Sequence, residues 1–165
     1  MTKYEQAHQE HFFEPIFNAE SKILILGTFP SVKSRENQFY YGHPQNRFWK
    51  VLAALYKSES FVTIEEKKMF LLKNQIAIWD VIASCDITGS SDSSIKNVVP
   101  TDLSVILKEA QIQKIYANGA TAAKLFRKYQ EPIVKREIIT LPSTSPANAS
   151  YSFERLVECW KICKE

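Results

Sequence analysis

Glycine is scarce in this sequence. Four glycines occur in 165 residues, and neither G-x-G-x-x-G nor G-x-x-x-x-G-K-[ST] is present. Such loops need glycine so that the backbone can close on a phosphate, so nucleotide cofactor binding is disfavoured and no cofactor is expected. There is no G-x-S-x-G elbow either. A serine hydrolase would have to use Ser31, Ser143 or Ser145 with His43, and no carboxylate partner for that imidazole is evident. The three cysteines, Cys85, Cys159 and Cys163, are odd in number and lack a C-x-x-C pair. That disfavours a disulfide framework and a thiolate metal or iron–sulfur centre, and suits reduced thiols in a cytoplasmic protein. No apolar run is long enough to span a bilayer, and Met1-Thr2-Lys3-Tyr4-Glu5 is no signal peptide, so no membrane partner is expected. A net charge of +3 permits a nucleic-acid partner without diagnosing one. Lys124, Arg127, Lys128, Lys135 and Arg136 read as solvated helix and strand ends.

What is present is enough apolar material for a core, 45% of residues, at a length that fits one domain over residues 1–165. Lys22-Ile23-Leu24-Ile25-Leu26 is an apolar run closed by Gly27, which reads as a buried strand over 22–27. Further strands are expected at 76–82, 114–119 and 136–141. Helices are expected from Pro44 to about Lys57, over 63–73 with Thr63 and Glu66 as a capping box, over 101–110 with Thr101 as cap, over 121–129, and over 151–163. The last of these should bury Phe153, Leu156, Val157 and Trp160 by their helical spacing. Residues 83–100 read as a long loop, and residues 4–20, with His8, His11, Phe12 and Phe13, as a segment covering the core edge. His8 and His11 lack a third ligand and read as structural. No metal is expected.

Strands alternate with helices throughout, which predicts a three-layer α/β/α domain around a four-stranded parallel sheet. In such sheets sites form at the carboxyl ends of strands. Two loops leave strand ends loaded with small polar and aromatic residues, 27–46 and 141–149, and Asp80 closes a third strand. All should share one rim.

On those residues the chain resembles a known family. GTFPS (27–31), YYGHPQNRFW (40–49) and LPSTSPANA (141–149), with AIWDVIASCDITGSSDSSIKNVVPTD (77–102) and Asn118-Gly119 between them, resemble the uracil-DNA glycosylase superfamily. The match is with its hypoxanthine-DNA glycosylase branch, the DNA-deoxyinosine glycosylases. The resemblance covers about residues 20–160. It implies a monomer that hydrolyses hypoxanthine, with uracil as a second substrate, from DNA containing deaminated bases, with no metal or cofactor.

The resemblance also implies roles. Many relatives carry a catalytic Asp or Asn where this chain has Phe29, and uracil-specific relatives carry a His where it has Leu141. The hypoxanthine branch lacks both and points to Asn46 as the catalytic group. An amide can hold a water by accepting and donating hydrogen bonds. The other reading of Asn46 is a polar group in a first helical turn. Gly27, Thr28, Phe29 and Pro30 would line the substrate site, with Tyr41 stacking on a flipped base and Tyr40 as another wall. Asp80 would accept from the N1–H of hypoxanthine, His43 would orient the loop, and Ser143 and Ser145 would meet DNA phosphates. The competing readings are core aromatics, a turn cap at Asp80 and a Ser-Pro turn. Phe29 and Leu141 also leave open a non-catalytic module of the same fold that only binds lesions.

Overall fold

The computed structural model describes residues 6–10, 13–37 and 39–164; His11 and Phe12 lie outside them. In chain order its elements are β1 (Gln6–Glu10), β2 (Ile23–Gly27), α1 (Val32–Asn37), α2 (Phe48–Leu55), α3 (Ile64–Lys73), β3 (Ile76–Asp80), β4 (Ile82–Thr88), β5 (Lys96–Pro100), α4 (Ser104–Leu107), β6 (Lys114–Asn118), α5 (Ala120–Tyr129), α6 (Glu131–Val134), β7 (Ile139–Leu141) and α7 (Phe153–Trp160). Short 3-10 turns lie at Asp92–Ser94 and Lys161–Lys164.

The apolar run of β2 forms the centre of a parallel sheet ordered β3-β2-β6-β7. Leu24, Ile25 and Leu26 are fully buried, each worth about 1.5–3 kcal/mol of burial. Alternation along the strand sends them to opposite faces. Ile25 joins Ile78, Tyr116, Leu141 and the apolar sides of α2, α3 and α7. Leu24 and Leu26 join Ala77, Ile115, Ala117 and residues of α4 and α5. The layers are therefore helix, sheet, helix, as expected.

Residues 83–100 depart from expectation. They are no open loop. β4 and β5 form a hairpin, and β1 pairs with β4 to complete a three-stranded antiparallel sheet ordered β1-β4-β5. Ile82, Cys85 and Ile87 turn into the core while the residues between them face outward. Small polar residues on that outer side hide the strand in the sequence. Asp86 there accepts from Asn97 Nδ2 at 2.6 Å and meets His8 Nδ1 at 3.2 Å. These contacts hold its carboxyl below the usual range, the Asn97 bond contributing most. His8 is thus a cross-strand partner.

Other boundaries move for local reasons. The expected helix start at Pro44 shifts to Phe48, because Asn46 N–H closes a turn on His43 O (2.9 Å) and Arg47 N–H is spent on Thr144 O (3.0 Å). Thr101 does not cap a helix. Its hydroxyl donates to Asp80 O at 2.7 Å, and Asp102 Oδ1 accepts the Ser104 N–H at the head of the short α4 instead. Thr63 and Glu66 form the expected capping box on α3. Phe153, expected in the core, is 36% exposed, whereas Leu156 and Trp160 are fully buried. Among the described residues no helix is long and apolar enough to cross a membrane.

Candidate active site

Parallel register brings strand ends level. Gly27 of β2 pairs with Asp80 of β3, and Asn118 of β6 pairs with Leu141 of β7. Above these ends is a cavity of about 400 Å³, lined by both expected loops and by the tip of the β4–β5 hairpin. A larger recess of about 630 Å³ lies between Phe13, Phe39 and Leu72 and shares Pro30 and Tyr40 with the first. The smaller one has the convergent polar groups of a reactive site.

Gly27 is needed at the floor. A Cβ there would lie 2.4 Å from Asp80 Oδ1 and 2.9 Å from the Tyr41 hydroxyl oxygen. Only glycine lets a carboxylate and a phenol close on the same backbone atom. Asp80 is 4% exposed. Tyr41 holds a left-handed backbone, φ 54°, and stacks on Phe48 with ring centroids 3.9 Å apart. Burial, aided by the Asp80 charge, keeps its hydroxyl protonated well above the ordinary phenol range. Asn118 pulls the other way without reaching good hydrogen-bond geometry. A strained non-glycine residue with a buried hydroxyl is the kind of feature that collects at functional sites.

Asn46 lines the cavity, with Thr28, Phe29, Pro30, Ser143 and Ser145 around it. Its Oδ1 accepts the Phe48 N–H at 2.9 Å and the Thr144 hydroxyl at 2.8 Å. Phe29 packs under Arg35, whose guanidinium carbon is 5.6 Å from the ring centre. The Ser143 and Ser145 hydroxyl oxygens each accept a backbone N–H two residues on, from Ser145 and Ala147, at 3.1 Å. The serine turn is therefore real, and each hydroxyl proton is still available to donate. Tyr40 lines the cavity but is buried, with its hydroxyl donating to Glu14 O at 2.7 Å. His43 is not brought into the cavity lining. Its Nδ1 accepts the Gln45 N–H at 3.0 Å, which shapes the turn before Asn46.

Sequence reasoning passed over four contributors. Thr144 and Asn118 are buried and hydrogen-bonded to each other twice, at 3.0 Å in both directions. Arg47 donates to the carbonyls of Ser145 (3.1 Å), Asn148 (3.0 Å) and Tyr151, tying the second loop to the first. Asp92, at the hairpin tip, also lines the cavity. Although Asp92 is exposed as a residue, enclosure of its carboxyl raises its pKa, and a hydrogen bond from Thr121 works against that. The rim argument that found Asp80 extends to Asn118, which also ends a strand. Nothing in the spacing flags Arg47. Among the described residues no group of three or more His, Cys, Asp or Glu is placed to hold a metal ion.

A parallel sheet between helix layers, with a polar cavity at the carboxyl ends of its strands, is the architecture of an α/β domain with a ligand site at its rim. Residues 14–164 match the family model of the uracil DNA glycosylase superfamily, and the chain belongs to that superfamily. Among its relatives, a hypoxanthine DNA glycosylase of Methanosarcina acetivorans is 34% identical over 149 residues, 87% of this chain and 90% of the relative. A second hypoxanthine DNA glycosylase, from Methanosarcina barkeri, is 29% identical over 141 residues, 82% of this chain and 86% of the relative. The chain is also similar to the solution NMR structure of a Methanosarcina acetivorans protein described as a candidate uracil DNA glycosylase. The TM-score there is 0.77 at 27% identity, covering 94% of this chain and 99% of that one.

Proposed function

We propose that this protein is a monofunctional DNA glycosylase that removes deaminated bases, hypoxanthine first and uracil second, acting as a single-domain cytoplasmic monomer without metal or cofactor. The observation that carries the reading is Asn46, held over a cavity at the strand ends beside Asp80, in a chain of this superfamily. The target nucleotide leaves the stack and its base enters the cavity. The exocyclic carbonyl and ring delocalise charge as the C1′–N9 bond breaks and its electron pair stays with the purine. A water oxygen then bonds to C1′, and the water's proton ends on the released base. Asn46 is the catalytic group, Asp80 accepts from the base N1–H, and the Ser143 and Ser145 hydroxyls donate to phosphate oxygens. Gly27, Thr28, Phe29 and Pro30 line the base site and Tyr41 supports it. Among the described residues no lysine lines the cavity, which supports hydrolysis over a Schiff-base route.

Phe29, lining the cavity where many relatives carry an acid or amide, favours one rival, a module of the same fold that binds lesions without cutting. Duplexes with a single inosine or uracil, followed by alkaline cleavage at abasic sites, decide between them. Scission on the inosine duplex above a heat-killed control is expected. Retention of the duplex with no base release supports the rival.

A further inference from the structure

An amide has two unlike ends, a carbonyl that accepts and an NH2 that donates twice. In Asn46 the carbonyl end is already taken. Its two lone pairs meet two donors, Phe48 N–H at 2.9 Å and the Thr144 hydroxyl at 2.8 Å. The Phe48 N–H fixes which end is which, since turning the NH2 toward it would set donor against donor. The direction of the Thr144 bond is fixed in turn. Thr144 Oγ1 accepts from Asn118 Nδ2, while Asn118 Oδ1 accepts from Thr144 N–H, both at 3.0 Å. The hydroxyl proton is then left for Asn46. Thr144 is 0% exposed, so solvent does not compete for it. Among the described residues the Asn46 NH2 makes no hydrogen bond, and Asn46 lines the cavity.

Building on the glycosylase reading above, we propose that Asn46 acts through its amide N–H groups, as a donor, and that Thr144 is the positioning residue that enforces this. A fixed donor suits the charge that grows on the departing purine as it keeps the electron pair of the C1′–N9 bond. The carbonyl that would accept from an attacking water is turned into the protein. The water's proton therefore goes to the released base, and Asn46 keeps its own protons throughout.

Three variants test this under single turnover on an inosine duplex, with DNA affinity and thermal midpoint measured alongside. Asn46→Asp keeps an acceptor for Phe48 and Thr144 but replaces the NH2 with an oxygen that only accepts. A donor role predicts a loss of about 10²-fold or more, as for Asn46→Ala, at unchanged DNA affinity. An aspartate variant as fast as the wild type, or faster, overturns the proposal. Thr144→Val keeps the shape without the hydroxyl and should slow the reaction about tenfold, while Thr144→Ser returns it to within about threefold. A fully active Thr144→Val enzyme, or a serine variant as slow as valine, removes Thr144 from this role. Should valine fail to fold, the aspartate variant still decides the question. A wild type that releases no base overturns the glycosylase reading and this inference together, whereas an active wild type beside an active aspartate variant overturns this inference alone.

Discussion

Two loops face each other across the cavity, residues 27–47 and residues 141–151, and they are held by different means. The first is anchored by aromatic packing. Tyr41 lies on Phe48, and Phe48 packs edge-on against Trp49 and Trp160 in the core. The second is held through its backbone. Arg47 gathers the carbonyls of Ser145, Asn148 and Tyr151, and the Trp160 indole donates to Pro142 O at 2.9 Å. Its serine hydroxyl oxygens are engaged in its own turns. The loop that carries Asn46 is thus built on packed rings, which leave little slack. The loop that carries Ser143 and Ser145 takes its shape from a residue of the other. On the proposed reading, the chemistry that needs close placement falls to the loop packed on rings.

Variants can break that comparison, beginning with the most damaging. Asn46→Ala should lower the single-turnover rate on inosine DNA by roughly 10²–10³-fold, the scale of one lost polar transition-state group. DNA affinity should hardly move, because phosphate contacts supply most of it. A larger rate loss from Ser143→Ala than from Asn46→Ala would reverse the roles of the loops. Gly27→Ala comes next, since its methyl would sit 2.4 Å from Asp80 Oδ1 and push the carboxylate or Tyr41 aside. Rate should fall about 10- to 100-fold by misplacement, and a crystal structure of the variant should show the shifted carboxylate.

Arg47→Ala sharpens the comparison through stability. Three carbonyls lose a charged donor together, which should cost about 2–3 kcal/mol in urea unfolding. Arg47→Lys should recover only part of that, since an ammonium cannot spread over three acceptors as the planar guanidinium does. Equal stability of both variants and the wild type would show that the second loop stands on its own. The smallest effect is expected at His43. Its ring shapes a turn outside the cavity lining, so His43→Ala should change the rate by less than about threefold. A dead His43→Ala enzyme would move the chemistry from the amide to the imidazole.

Much of the central sheet was legible. Alternation and apolar runs placed β2, β3 and β6 nearly to the residue, because strands buried on both faces read as continuous Ile, Leu and Ala. The rim followed from the direction of those strands, so Gly27, Asp80 and Asn46 could be set on one side of the molecule in advance. The antiparallel sheet was not legible. Its outward face carries Ser84, Asp86 and Thr88, and its pairing with β1 joins residues 78 apart at His8 and Asp86. No local pattern encodes a partner so distant. The start of α2 was misplaced for a related reason. Pro44 is a good first-turn residue, yet the Arg47 N–H is committed to Thr144, 97 residues further on.

Taken alone, the sequence determined the layered parallel fold, the rim on which the site lies, and the residue types available there, since burial and strand direction are written in short-range periodicity. Tertiary structure alone decided which end of Asn46 faces the cavity, that Arg47 and Thr144 are its scaffolding, and that His43 stands aside. The Asn46–Thr144 bond and the Arg47 bonds to Ser145, Asn148 and Tyr151 join residues about a hundred positions apart. Such bonds have direction and length only once the chain has closed on itself.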